Sequence, residues 1–438
     1  MLSRRSFIGV SSMALAGTAC RASGVAATGS RAHNGAGAAS LPPSIAALTS
    51  MKDQATPISA DERRVRIERA RQQMHDRGID AILLTGGTSL EYFTGLKWGL
   101  SERLLAVVLP AKSAPFLVTP KFEEARAMEQ VQAGPLDSGT EIMTWEEHEN
   151  PYELVAQGIR KRSLASGRLG IEETVRYVFS DGTAHALPAL TLTSATPITA
   201  GCRMIKDEHE LTLMRVASTA TLKAYEAVYK ALQEGMTQDD VRHLISAAYA
   251  RLGFDGAASV QVGQYTALPH GSRTPQTVRE GTIIMIDDGC TVEGYKSDIT
   301  RTFVLGKATD KMKQVFDIVH QAQTTALGVA RPGVPAQAVD AAARAVIANA
   351  GYGPDYKYFT HRLGHGIGMD GHEWPYLVRG NTLALEPNMM FSDEPGIYIP
   401  GEFGVRLEDD MHITPDGAEL LTPQSPSLED PFGSGGMA

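Results

Sequence analysis

At 438 residues the chain is longer than one typical domain and long enough to bury two sizeable cores. Its formal charge of -9 is spread over intermixed acidic and basic residues. That pattern excludes a nucleic-acid or anionic-membrane surface as the principal partner and suits small neutral or zwitterionic substrates.

Residues 1–30 open with Ser3-Arg4-Arg5-Ser6-Phe7-Ile8, followed by a short apolar stretch to Ala19 and several small residues. A charged start, a short apolar segment and small residues in that order predict a twin-arginine export signal with its cleavage region, and hence a periplasmic destination. Lipid anchoring through Cys20 is the alternative, although Gly17-Thr18-Ala19 lacks the leucine that such sites carry. No later apolar run is long enough to span a bilayer. Cys202 and Cys290 read as buried thiols rather than a disulfide framework.

Residues 31–56 are poor in large apolar side chains and read as a flexible tether, with Pro42-Pro43 favouring an extended segment. Over 57–202, helical patterns alternate with apolar runs at 79–84, 104–109, 116–118 and 169–171, which predicts a small α/β domain. It carries no catalytic constellation, and its expected work is to wall a cleft or form a subunit contact.

A second domain, 203–423, begins with a long helical stretch over 208–232. Shifting the sequence by 98 superposes Ala224 on Ala322, Gly235 on Gly333, Val241 on Val339 and Gly253 on Gly351. Each copy reads as a long helix, a glycine turn and a second helix ending at glycine, which predicts an internal duplication. Apolar, strand-like sequence follows each copy, at 283–286 and 295–305, then at 389–399 and 404–413. Two such halves predict helices covering a curved antiparallel sheet, with a cleft where residues from both halves meet. Residues 424–438 read as a polar tail.

The chemistry-bearing residues cluster in this second domain. In Ile286-Asp287-Asp288-Gly289 and Lys296-Ser297-Asp298-Ile299, Asp287 lies at the end of an apolar strand and Asp298 within the next one, so a hairpin can bring both carboxylates to one point. Two like charges buried together need a cation: a metal ion, or a base such as Arg301. His361-Arg362-Leu363-Gly364-His365-Gly366-Ile367-Gly368 adds imidazoles whose spacing imitates a helical zinc pair, but glycines at 364, 366 and 368 oppose a helix there. Asp393-Glu394-Pro395-Gly396 and Arg406-Leu407-Glu408 add carboxylates. Four carboxylates and one histidine make an oxygen-rich set suited to two divalent ions, with Mn2+ favoured and Co2+, Fe2+ or Zn2+ as substitutes.

Read in order across 203–423, these motifs resemble the pita-bread-fold metallopeptidases, in particular the proline dipeptidase (prolidase) and Xaa-Pro aminopeptidase (aminopeptidase P) branch. The resemblance implies an α+β protein in which a small creatinase-like α/β domain precedes the pita-bread domain. It implies metal ligation by Asp287, Asp298, His365, Glu394 and Glu408, and substrate contacts by His270, His361, His372 and Arg406. In catalysis, Glu394 would relay a proton, His372 and His270 would donate to the developing oxyanion or position the substrate carboxylate, and Arg406 would clamp a substrate carboxylate or pair with Asp409 or another neighbouring acid. Ala257-Ala258-Ser259-Val260 lacks the bulky aromatic of many relatives, so their pocket shape is not carried over. The expected activity is hydrolysis of the Xaa-Pro bond of di- or oligopeptides by a hydroxide shared between two metals, in a homodimer. Open alternatives are a dipeptidase or an aminopeptidase, a lyase in the same fold, and a peptide-binding pseudoenzyme.

Overall fold

The computed structural model describes residues 40–136 and 139–433. The predicted export signal, Cys20 and the first part of the predicted tether lie outside the described residues, as does the end of the predicted tail.

From Pro42 onward the chain forms one compact unit. It opens with α1 (Pro43–Ala46), which corrects the expectation of a flexible tether over this stretch. Ile45 and Met51 are buried in the main core. The Ser44 hydroxyl donates to Ala227 O at 2.7 Å, Met51 N donates to Leu252 O at 2.9 Å, and Arg251 reaches the carbonyls of Ala46 and Leu48. Two apolar anchors and these main-chain bonds outweigh the polar composition.

The first layer system is built on α2 (Ala60–Arg77), closed at its start by a Ser59/Glu62 capping box. Its strands are β1 (Ala81–Thr85), β2 (Ala106–Pro110), β3 (Phe116–Pro120), β4 (Glu141–Trp145), β5 (Arg168–Ile171) and β6 (Thr191–Ser194), in the order β4-β3-β2-β1-β5-β6. β1, β2 and β3 pair antiparallel, and the outer strands pair parallel. Helices α3 (Thr88–Thr94), α4 (Glu124–Ala133), α5 (Pro151–Lys161), α6 (Tyr177–Ala186) and α7 (Thr196–Arg203) complete it. The predicted apolar runs coincide with β1, β2, β3 and β5. β4 and β6 are only partly buried edge strands and carry no such run.

In the second part, α8 (Glu208–Tyr229) and α9 (Gln238–Leu252) precede β7 (Asp255–Gly256), β8 (Ser259–Val262), β9 (Ile283–Asp287), β10 (Cys290–Val292), β11 (Tyr295–Lys296) and β12 (Arg301–Val304). Then α10 (Asp310–Val329) and α11 (Ala336–Ile347) precede β13 (Gly364–Gly366), β14 (Glu373–Leu377), β15 (Met390–Asp393), β16 (Gly396–Ile399), β17 (Phe403–Arg406), β18 (Asp409–Ile413) and β19 (Ala418–Leu420). The repeat is physical. Gly235 and Gly333 both have positive φ, and their amides donate to Val278 O and Leu385 O respectively. Gly253 and Gly351, which follow the two shorter helices, are both left-handed at φ 91° and 92°.

Antiparallel sheets β8–β9–β12 and β14–β13–β15–β18–β19 form the two halves, with β16–β17 as a separate ribbon. The Thr302 hydroxyl on β12 donates to Arg406 O on β17 at 2.7 Å, tying ribbon to sheet. The predicted polar tail is also corrected in its described part. Leu428 is 2 % exposed, its carbonyl accepts from Val304 N, and Glu429 O accepts from the Tyr229 hydroxyl.

The two parts are joined by polar contacts, those of Arg66 and Tyr295 buried and that of Thr88 partly so. Arg66 Nη2 donates to Tyr295 Oη at 2.9 Å, and that hydroxyl donates to Glu210 Oε1 at 2.7 Å. Thr88 Oγ1 donates to Asp370 Oδ1 at 2.5 Å.

Candidate metal centre

β9 is a run of four branched or long apolar residues held between two partners, so it is buried along its length and delivers Asp287 at its end. The left-handed Asp288, φ 108°, then turns the chain. Its carbonyl accepts from the Tyr225 hydroxyl at 2.9 Å and from Ile299 N at 3.1 Å, which folds the following segment back. Asp298 therefore faces Asp287 from the irregular stretch between β11 and β12, not from within a strand as the sequence reading placed it. The non-strand backbone is what frees its amide to donate to Asp410 Oδ2 at 3.3 Å.

From the second half, His365 sits at the centre of β13. A Cβ on Gly364 would run into the Ser392 carbonyl and one on Gly366 would lie 2.6 Å from Glu373 O, so glycines flank the histidine because neighbouring strands approach closely. Glu394 follows β15, its amide donating to Leu363 O at 3.0 Å. Glu408 lies between β17 and β18, its amide donating to Thr300 O at 3.2 Å.

These residues converge. Ligand atoms of Asp287, Asp298 and Glu408 lie within 4.8 Å of one another, as do those of His365, Glu394 and Glu408 and those of Asp298, His365 and His372. His365 Nδ1 lies 3.1 Å from Gly366 O, to which only an N–H can bond, so Nε2 faces the carboxylates, 3.3 Å from Glu394 Oε1 and 3.8 Å from Asp298 Oδ2. Burial, and then His372, lower the His365 pKa to about 3, which keeps it neutral as a metal ligand must be.

Arg406 is the guanidinium paired with this group of carboxylates, lying against Asp287 and 3.8 Å from Glu408. Burial pushes Asp287 up, but Arg406 and then Thr300 outweigh it and hold its pKa below the ordinary value. Asp298 is driven well above its ordinary range by burial and then by Asp287 and Glu394; Glu408 is driven up by burial and then by Asp298. Glu394 rises to about 7 through burial, opposed by Arg406. Acids so placed are short of positive charge, and divalent cations fit that deficit and the donor set.

Arg301 was the alternative partner for the aspartate pair. Instead it pairs with Asp409 at 2.6 Å, both side chains fully buried. Arg406 ion-pairs with Asp287, one of the neighbouring acids the sequence allowed, and its Nη1 donates to Tyr398 Oη at 3.0 Å. His361 Nε2 lies 2.7 Å from the same hydroxyl. Burial, followed by Arg406, lowers the His361 pKa to about 3. His372 stacks on His365 with centroids 3.7 Å apart, closer to the ligand cluster than a pure substrate contact requires. His270 is exposed on the rim of the cleft.

The cleft, about 680 Å³, is lined by all nine predicted residues. Sequence reasoning missed three others. Tyr398 joins His361 to Arg406. Thr300 Oγ1 lies 2.7 Å from Asp287 Oδ1 and 2.6 Å from Glu408 Oε2. Arg362 lines the cleft over the Tyr376 ring at 3.9 Å, with no carboxylate partner among the described residues. An Arg beside His361 was visible in the motif; nothing local flags a lone tyrosine or threonine.

A duplicated helix-pair-and-sheet domain that brings together carboxylates and a histidine able to hold metal ions, behind a mixed-sheet domain, has the architecture of the pita-bread-fold metalloenzymes. The sequence matches metallopeptidase family M24 over residues 212–415 and the creatinase/prolidase N-terminal domain over 66–205. It is 38 % identical to a probable dipeptidase PepE of Mycobacterium tuberculosis, over 78 % of this chain and 90 % of the relative. It is 33 % identical to an Xaa-Pro dipeptidase of Lactobacillus delbrueckii subsp. lactis, over 83 % and 98 %. The crystal structure of dipeptidase PepE from Mycobacterium ulcerans superposes with a TM-score of 0.79 at 33 % identity, covering 85 % of this chain and 99 % of that one. The chain belongs to metallopeptidase family M24 and is a peptidase. Among the described residues no helix is long and apolar enough to cross a membrane.

Proposed function

We propose that the chain is a metal-dependent proline dipeptidase, hydrolysing the Xaa-Pro bond of short peptides. The observation that carries this is the convergence of Asp287, Asp298, His365, Glu394 and Glu408 in a cleft that His270, His361, His372 and Arg406 also line. Relatives named dipeptidase or Xaa-Pro dipeptidase support the substrate class.

Those five side chains would hold two divalent ions, which when bound acidify a water and polarise the scissile carbonyl. Manganese is favoured because oxygen donors dominate the set. Glu394, whose carboxyl lies near 7, is suited to accept and return a proton. His372 and His270 would donate to the developing oxyanion or position the substrate carboxylate. Arg406 is held by Asp287 and Tyr398, so its guanidinium has a fixed direction, while Arg362, which forms no ion pair among the described residues, would offer its charge to an anionic group of the substrate. A homodimer and twin-arginine export to the periplasm complete the proposal. The first rests on the family resemblance and the second on the Arg4-Arg5 motif.

Length preference is the test. Metal-loaded protein should turn over Ala-Pro and Gly-Pro with kcat/KM at least about tenfold above that for Ala-Pro-Xaa tripeptides, a difference of about 1.4 kcal/mol in transition-state binding. A preference for the tripeptides would make it an Xaa-Pro aminopeptidase.

A further inference from the structure

Between Gly353 and Leu363, the segment that brings His361 and Arg362 into the cleft has no regular secondary structure. Its outer side borders a cavity of about 470 Å³ lined by Asp340, Arg344, Tyr352 and Phe359 among others. Packing on that side is therefore incomplete. Two side chains one turn apart on α11 supply what packing does not. Arg344 Nε donates to Asp340 Oδ2 at 2.8 Å, Nη1 donates to Phe359 O at 3.0 Å, and Nη2 donates to His361 O. Asp340 Oδ1 accepts from Leu363 N at 3.0 Å. The guanidinium carbon lies 4.1 Å from the Tyr356 ring centroid and 4.3 Å from that of Phe359. Asp340 is 1 % exposed and Arg344 8 %. One buried pair thus fixes the main chain at 359, 361 and 363, and Leu363 O in turn accepts from the Glu394 amide.

We infer that Asp340 and Arg344 are positioning residues for the peptide cleft, setting where His361 stands without touching substrate. A buried ion pair adds little net stability by itself, so its contribution here is geometric. The guanidinium fork presents three N–H groups in fixed directions to three acceptors, which a lysine ammonium on a flexible stem cannot reproduce. The inference rests on the reading of the cleft as a site for Xaa-Pro peptides.

Steady-state kinetics on an Xaa-Pro dipeptide, with metal content measured alongside, tests it. Arg344→Lys should raise KM about tenfold with kcat within about threefold, because the segment that contacts bound peptide has shifted. Bound metal should be unchanged. Asp340→Asn, which keeps one of the two acceptors, should show a smaller rise in the same direction, and it carries the test alone should Arg344→Lys not fold. In a His361→Ala background either substitution should add less than about twofold, since its effect travels through His361. A merely structural role would lower Tm and leave KM of the folded protein unmoved, and a KM rise that adds fully to that of His361→Ala would not travel through His361; either result would overturn the inference. Absence of cleavage by the unsubstituted chain would remove the proposed function and this inference with it. Cleavage with KM unmoved in both variants would remove the inference alone.

Discussion

Asp298 and Glu408 are buried beside Asp287 and Glu394, a crowding of negative charge that drives both carboxyls up and that a bound metal would relieve. Asp298→Ala or Glu408→Ala should lower kcat by about a thousandfold, the equivalent of several kcal/mol of lost transition-state stabilisation, and should also lower bound metal. Normal turnover with full metal content in either variant would refute their assignment. The same crowding predicts how the metal-free protein responds to pH. The Glu394 carboxyl, raised from 4.5 to about 7, contributes stability that is fully present below 4.5 and lost as pH rises through 7. Asp298 and Glu408, also driven up by burial and their acidic neighbours, act in the same sense. His361 and His365, lowered from 6.5 to about 3, act oppositely, adding stability as pH climbs toward 6.5 and nothing above it. From pH 6.5 to about 8 only the carboxyls remain to titrate, so Tm of metal-free protein should fall over that window. Metal-loaded protein, whose bound charge replaces those protons, should hold its Tm, and the gap between the two should widen. A metal-free Tm that stays level would contradict the clustering of these acids. Legibility at this scale followed motif. Asp287, Asp298, His365, Glu394 and Glu408 were singled out by the motifs that resemble the family, since residue type alone does not separate them from Asp288, Asp393, Asp409 and Asp410 beside them. Tyr398 and Thr300 were not, because an ordinary hydroxyl acquires its role only from the residues that the fold brings to it.

Among elements, burial decided what could be read. β1, β2, β3 and β9 are buried almost throughout and appear in the sequence as continuous apolar runs. β4 and β6, half exposed at the sheet edges, have no such signature. The stretch after Pro42 misled for a related reason. Its few apolar residues are too sparse to show a period, yet Ile45 is fully buried against α8 and α9. Ile45→Ala should therefore cost about 2–4 kcal/mol in urea unfolding, the usual range for emptying a packed site. An unchanged midpoint would mean that this segment is after all a tether. The misplacement of Asp298 has another cause, since apolar Tyr295 and Ile299 on either side imitate strand alternation while the carbonyl of Asp288 pulls the chain out of it.

For the molecule as a whole, duplication explains why the centre lies where it does. Each half supplies a helix pair and an antiparallel sheet, and the proposed ligands come from both: Asp287 and Asp298 from the first, His365, Glu394 and Glu408 from the second. The seam is closed by Thr300 and the Glu408 amide. The repeat was visible in sequence through its glycines, which mark left-handed backbone that other residues rarely adopt. The line along which the halves meet was not visible, because it depends on main-chain contacts that leave no trace in residue type. The most direct measurement is hydrolysis of Ala-Pro by protein stripped of metal and then reloaded with Mn2+, with Ala-Ala as the control peptide. The account predicts no cleavage by the stripped protein, restored cleavage of Ala-Pro on reloading, and little or none of Ala-Ala. Equal cleavage of both peptides, or of Ala-Pro without metal, would contradict it.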